Sequence, residues 1–139
     1  MGYLIDTCIW VEVERGALAP ADVMSVTGDA PVFLSPITLG ELYFGAEIAD
    51  DPGIRQKRFA ALQRLQRKPT LTIDAETGVI FGRVAAAIKS TGKSHRHRIQ
   101  DLWLASQAIQ HGFRFLTVNT RDFEEISGLD LVVMPNAHT

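Results

Sequence analysis

The chain has 139 residues, 46% hydrophobic and 22% charged, with a net charge of −2 and a mean hydropathy of +0.06. That much apolar material repays the ordering entropy of one compact domain spanning residues 1–139, and it excludes a disordered, collagen-like or low-complexity chain. No apolar run nears the roughly 18 residues a bilayer span needs, the N-terminus lacks the basic flank and cleavage site of a secretory signal, and Cys8 stands alone, so a cytoplasmic chain without a membrane partner, a disulfide or a zinc knuckle is expected.

In chain order, Gly2 to Asp6 is a short apolar run ending in a carboxylate, a buried strand followed by a helix from Thr7 to Trp10 onward. Pro31 to Leu34 reads as a second strand. Ser35-Pro36 has the form of an N-cap followed by proline at the first helical position, so a helix carries Leu39, Glu41, Leu42 and Phe44 toward Ile48 until Asp51-Pro52-Gly53 ends it. From Ile54 to Lys68, Ile54, Ala61, Leu62 and Leu65 share one side of a helix, and Lys57, Arg64 and Lys68 form a basic stripe on the other. Thr70 to Ile73 reads as a third strand and Asp74 as the N-cap of a helix whose Ile80, Val84, Ala87 and Ile88 share a face, stopping at Gly92. After the basic loop 93–98, Asp101 opens an almost wholly apolar helix closed by His111-Gly112. Phe113 to Val118 is a fourth strand, a short helix follows from about Thr120, and Leu131 to Met134 is a fifth strand. Strands separated by helices imply parallel pairing and right-handed crossovers, hence a three-layer α/β/α sandwich with a mostly parallel central sheet.

The small net charge hides a segregation. Residues 55–98 hold eleven of the fourteen Lys/Arg and only two acids, Asp74 and Glu76, and ten of the fourteen basic residues are arginine, the side chain that forks onto phosphate. Lys57, Arg64, Lys68, Arg96 and Arg98 are the candidates for gripping a phosphate-bearing partner, with a solvated helix face as the alternative.

Ligands of parallel sheets bind at the carboxyl edge of the strands. Four acids fall there: Asp6 at the end of the first strand, Glu41 early in the helix after the second, Asp101 at the start of the buried helix, and Asp122 just after the fourth strand. Each is flanked by apolar residues. Asp6 and Asp101 also suit helix N-caps, Asp122 a first-turn position, and Glu41 a partner for Arg83 or Arg121. If the four converge, their repulsion raises some pKa values or demands a cation, and oxygen-only ligation favours Mg²⁺ or Mn²⁺ over zinc. Such an ion can activate water for in-line attack on a phosphodiester. No G-x-S-x-G turn, P-loop or G-x-G-x-x-G occurs, and Asp6-Thr7-Cys8 lacks the second aspartate of an aspartyl-phosphate enzyme. The competing class is a non-catalytic RNA-binding module whose carboxylates are structural.

Four segments, LIDTCIW at the N-terminus, PITLGELYFGA in the Glu41 helix, IQDLWLASQAI in the buried helix and TVNTRDF near the end, resemble the PIN-domain ribonucleases of the VapC type, the toxin half of bacterial toxin-antitoxin pairs. The resemblance spans essentially the whole chain, with the motifs in the family's order and spacing. It implies that Asp6, Glu41, Asp101 and Asp122 are the acidic cluster binding Mg²⁺ or Mn²⁺, and that Thr7 and Asn119 support the acids or the metal's water shell. Asn119 and Asp122 are both candidates for the fourth site position. The resemblance further implies endoribonuclease action on structured RNA, transfer or ribosomal, leaving 5′-phosphate and 3′-hydroxyl ends. A homodimer and inhibition by a small cognate antitoxin whose tail reaches the site are implied too. Trp10, Tyr43 and Phe44 are candidates for the groove that receives an antitoxin helix, and Trp103 for the core.

Overall fold

The computed structural model describes residues 1–93 and 98–135. The elements run β1 (Tyr3–Ile5), α1 (Thr7–Arg15), α2 (Pro20–Thr27), β2 (Val32–Phe33), α3 (Pro36–Glu47), α4 (Pro52–Leu65), α5 (Ala75–Ser90), α6 (Ile99–His111), β3 (Arg114–Thr117), a 3-10 turn at Thr120–Asp122, and β4 (Asp130–Val133). The four strands pair in parallel in the order β2-β1-β3-β4, which puts β1 and β3 at the centre of the sheet.

Alternation along these short strands generates the layers. Leu4 on β1, Phe33 on β2, Phe115 on β3 and Leu131 on β4 point to one face, where they pack with Ile80, Val84 and Ile88 of α5 and with Leu102, Leu104 and Ala105 of α6. Tyr3, Ile5, Leu116 and Val132 point to the other face, against Ile9 of α1 and Val23 of α2. The register pairs Leu4 with Phe115 and Ile5 with Leu116, so each face is continuous across the two central strands. Both faces being apolar, these strands read as unbroken hydrophobic runs, as buried parallel strands should. Gly2 has a local reason: a Cβ there would lie 2.8 Å from the ring of Phe33, which stacks on Phe113. Among the described residues, no helix is long and apolar enough to cross a membrane.

Several expectations are corrected. Helix α2 lies in a stretch with no expected element; its low amphipathic contrast, with only Val23 and Thr27 buried, leaves little periodicity to read. Thr70 to Ile73 is not a strand. Thr70 makes one parallel bridge with Leu34, after which the chain runs extended into α5, so the sheet has four strands. Asp51-Pro52-Gly53 begins a helix as well as ending one, since Asp51 Oδ2 accepts from the Ile54 amide at 2.9 Å and Pro52 opens α4. The buried face of α5 uses Ala85, while Ala87 is exposed. Trp103 is only partly buried, stacked on Phe81 with ring centroids 4.1 Å apart. Arg96 and the histidines of the basic loop lie outside the described residues.

Candidate active site

The carboxyl ends of β1 and β3 lie side by side, and the site grows from that edge. The Asp6 amide donates to the Leu116 carbonyl at 2.9 Å, extending the ladder one residue past β1 and bringing Asp6 beside Thr117. Asp6 occupies the N-cap position of α1 with an extended backbone, yet its side chain caps nothing. Its Oδ2 instead accepts from Thr117 Oγ1 at 2.8 Å and from Cys8 Sγ at 3.1 Å. The Thr117 hydroxyl in turn accepts from the Asn119 amide at 3.0 Å. Two donors on one oxygen fix the orientation of the carboxylate. Asp6 is only 6% exposed, and burial pushes its pKa up against those hydrogen bonds. Burial and the charge of Asp6 drive the Cys8 thiol up to about 12, so Cys8 serves as a donor and not as a nucleophile.

Glu41 is delivered by α3, whose start is set by Ser35 Oγ accepting from the Ile37 amide at 3.0 Å with Pro36 in the first turn. Thr38 and Glu41, three apart, share a helix face. Both meet Thr7 of α1: Thr7 Oγ1 donates to Glu41 Oε1 at 2.9 Å and lies 3.0 Å from Thr38 Oγ1. Glu41 is half-buried and pairs with neither Arg83 nor Arg121; no ion pair to it exists among the described residues. Burial raises its pKa, opposed by the Thr7 hydrogen bond and reinforced by the charge of Asp6.

Asp101 lies in the first turn of α6, where the N-cap position belongs to Arg98. Its pKa is pushed up to about 6, first by burial, then by the charges of Asp6, Asp122 and Glu41, with Arg98 opposing. One carboxylate therefore feels all three others, and the four acids form a single electrostatic site. Asp122 closes the 3-10 turn after β3, half-buried, and its Oδ2 accepts from Asn119 Nδ2. Asn119 and Asp122, alternatives in the sequence, are a hydrogen-bonded pair.

Among the described residues, no three acid, histidine or cysteine groups close into a ready-made ion cage. An open set of mutually repelling carboxylates suits a small hard cation that keeps several waters and takes only one or two carboxylates, which is the habit of Mg²⁺. All four candidate side chains are oxygen donors, the ligand type of a hard divalent cation, and among the described residues the sulfur beside them is the protonated Cys8 thiol.

The basic residues divide. Lys57 and Arg64 are exposed on α4, with half-buried Lys68 just beyond its end, and α4 packs on α3, the helix that carries Glu41. Arg98 departs from the expected backbone grip: its side chain is 19% exposed and paired with Glu125, so it does not share the open surface with Lys57 and Arg64. Arg55 and Arg58, in the same basic stretch, are spent on the end of α3, donating to the carbonyls of Glu47 at 2.8 Å and Gly45 at 2.9 Å, with Arg58 also paired to Glu14 at 2.7 Å. Thr117, Thr38 and Cys8 belong to the site and were not expected there. Thr117 had a readable signal, since it is the last residue of β3, the strand beside the one that Asp6 follows. For the candidate antitoxin contacts, Phe44 is 65% exposed, while Trp10 and Tyr43 are partly buried.

Residues 3–129 match the PIN domain family, and over 139 aligned residues the chain is 30% identical to ribonuclease VapC1 of Rickettsia felis, covering 96% of this chain and 97% of that one. The chain belongs to the PIN-domain family, in its VapC branch. This PIN domain is also 30% identical to ribonuclease VapC5 of Mycobacterium tuberculosis over 132 residues, 91% of this chain and 87% of that one. Among solved structures it resembles VapBC2 of Rickettsia felis bound to a promoter DNA fragment, with a TM-score of 0.84 at 20% identity over 97% of this chain and 100% of that one. It also resembles the toxin-antitoxin complex VapBC-5 of Mycobacterium tuberculosis, with a TM-score of 0.74 at 25% identity over 96% and 97% of the two chains. The PIN fold is thus shared from end to end.

Proposed function

We propose that this PIN domain is a metal-dependent endoribonuclease, the toxin of a toxin-antitoxin pair, acting on structured RNA such as transfer or ribosomal RNA. The observation that carries the reading is the coupling of Asp6, Glu41 and Asp122 to Asp101 at the carboxyl edge of the sheet. Four carboxylates brought from positions 6, 41, 101 and 122 to one partly buried place make electrostatic sense around a cation. The names of the VapC relatives point the same way.

In this reading Asp6 and Asp101 hold the principal Mg²⁺ or Mn²⁺, which supplies Lewis-acid polarisation of the scissile phosphate and acidifies a water. Thr117 and Cys8 both donate to Oδ2 of Asp6 and hold the carboxylate in place, so that it would serve as a fixed ligand. Glu41, held by Thr7 and with a raised pKa, orients the attacking water and accepts its proton. Asp122, held by Asn119, completes the set or carries a second ion. Lys57, Arg64 and Lys68 contact the RNA backbone, so binding weakens as salt rises. Water as nucleophile leaves 5′-phosphate and 3′-hydroxyl ends. The VapBC complexes among its structural relatives support a cognate antitoxin as partner, with Phe44 as an exposed contact, and we place the protein in the cytoplasm as a homodimer.

The test is cleavage of a cellular RNA pool by the purified chain, freed of antitoxin, in Mg²⁺ or Mn²⁺ and in EDTA, beside Asp6→Asn and Asp101→Asn. Cleavage that needs the ion and both carboxylates supports the reading. RNA that is bound in a salt-dependent way yet stays intact under every ion condition replaces it with the binding-module alternative.

A further inference from the structure

Two residues outside the acidic set bridge the segments that carry it. Arg98 lies three residues before Asp101, and Glu125 three residues after Asp122. Arg98 Nη1 donates to Glu125 Oε1, and Lys93 Nζ reaches Glu125 Oε2 at 2.6 Å. Both Arg98 and Glu125 are mostly buried, each 19% exposed at the side chain, whereas Lys93 is 64% exposed. The rest of the Arg98 fork is uncommitted: among the described residues, its Nε and Nη2 are buried without a hydrogen-bond partner. A separation of three along a helix start puts Arg98 and Asp101 on neighbouring positions of one face, and Asp101 feels the Arg98 charge. Yet the ion pair that Arg98 makes is with Glu125, and none joins it to Asp101 among the described residues.

We infer that Glu125 is a positioning residue that holds the Arg98 guanidinium off Asp101, leaving that carboxylate free to take a divalent cation. This rests on the metal-dependent reading above. A partly buried guanidinium that loses its carboxylate seeks another, because an unpaired charge in such a place is strongly unfavourable and the planar fork matches a carboxylate well. Asp101 is one helical turn away. Without Glu125, Arg98 becomes an internal counter-ion that competes with the metal. Lys93, released at the same time, simply returns to water.

The experiment is calorimetric titration of Mn²⁺ into the full chain, comparing wild type with Glu125→Gln, Arg98→Gln, the double variant and Asp101→Asn, each checked for its fold by circular dichroism. Glu125→Gln is expected to weaken Mn²⁺ binding by about 10- to 100-fold, the range of a charged hydrogen-bonded pair. Adding Arg98→Gln to it restores affinity to within about 3-fold of wild type, because the competitor is gone. A merely structural Glu125 gives the opposite pattern, in which the second substitution makes matters worse. The inference is overturned if Glu125→Gln binds Mn²⁺ as wild type does, or if the double variant binds as weakly as Glu125→Gln. Should the double variant fail to fold, Arg98→Met in the Glu125→Gln background takes its place, with affinity recovering as the competing charge is lost. A wild type that cleaves RNA and binds Mn²⁺ beside an unaffected Glu125→Gln sinks this inference alone, whereas a wild type that does neither sinks the nuclease reading with it.

Discussion

Asp101→Asn should make the metal-free protein more stable while destroying its activity. The folded state holds the Asp101 carboxyl at about 6, against 3.8 for the ordinary group. A carboxyl whose pKa is raised on folding destabilises the native state wherever it is ionised, because the native state binds the proton more tightly than the unfolded chain. Taken in full, that shift is worth about 3 kcal/mol at 1.36 kcal/mol per unit, and the half-exposed setting reduces it to about 1–2 kcal/mol. For a chain of this length that is roughly 4–7 °C in Tm. The sign follows from proton counting: below the ordinary carboxyl pKa both states are protonated and the penalty is absent, it grows between 3.8 and about 6, and it is complete above. Asparagine removes the charge at every pH. Thermal unfolding in EDTA at a series of pH values, side by side for the two proteins, should show curves that coincide near pH 4 and separate toward pH 7.5, with the variant melting higher. Adding Mg²⁺ should close the gap by stabilising only the wild type. A variant that melts lower at pH 7.5, or a difference that does not change with pH, would refute the idea that burial and neighbouring acids strain the Asp101 carboxylate.

Thr117→Val removes the 2.8 Å donor to Asp6 from a fully buried position, so a stability loss of about 1–3 kcal/mol in urea unfolding and a fall in RNA cleavage are expected together. If Asn119 acts by holding Asp122, then Asn119→Ala and Asp122→Asn should lower cleavage by similar factors and their combination by little more, read from single-turnover rates. Replacing Lys57, Arg64 and Lys68 with glutamine should weaken RNA binding and flatten its salt dependence by up to about 0.7 in log–log slope for each phosphate no longer neutralised, measured by fluorescence anisotropy, with Mn²⁺ affinity unaltered.

How legible each part was depends on how local its cause is. The layered architecture could be read because β1 and β3 are apolar on both faces and Ser35-Pro36, Asp74 and Gly112 are strong helix punctuation whose chemistry acts within a few residues. Helix α2 lacked that contrast, and Thr70 to Ile73 has strand-like residues without a neighbour to complete a ladder. The four candidate acids follow from one rule about sheet edges. One support does not: Thr38 meets Thr7 across 31 positions, a contact between α3 and α1 that no local pattern specifies. Arg98 illustrates the limit most clearly, since a basic composition cannot distinguish an arginine facing solvent from one already engaged by Glu125.

The placement of β3 bears on when the acidic site can assemble as the chain is made. Residues 114–117 form a central strand, inserted between β1 and β4, and they bring the threonine that clasps Asp6. A nascent chain that has emerged only through α6 has β1 paired on one side alone, its other edge bare, and neither Thr117 nor Asp122 at the site. Pairings of such long sequence separation form late and slowly. On the nuclease reading, a chain that stops before β3 and the turn after it lacks Thr117 and Asp122, and is expected not to cut RNA.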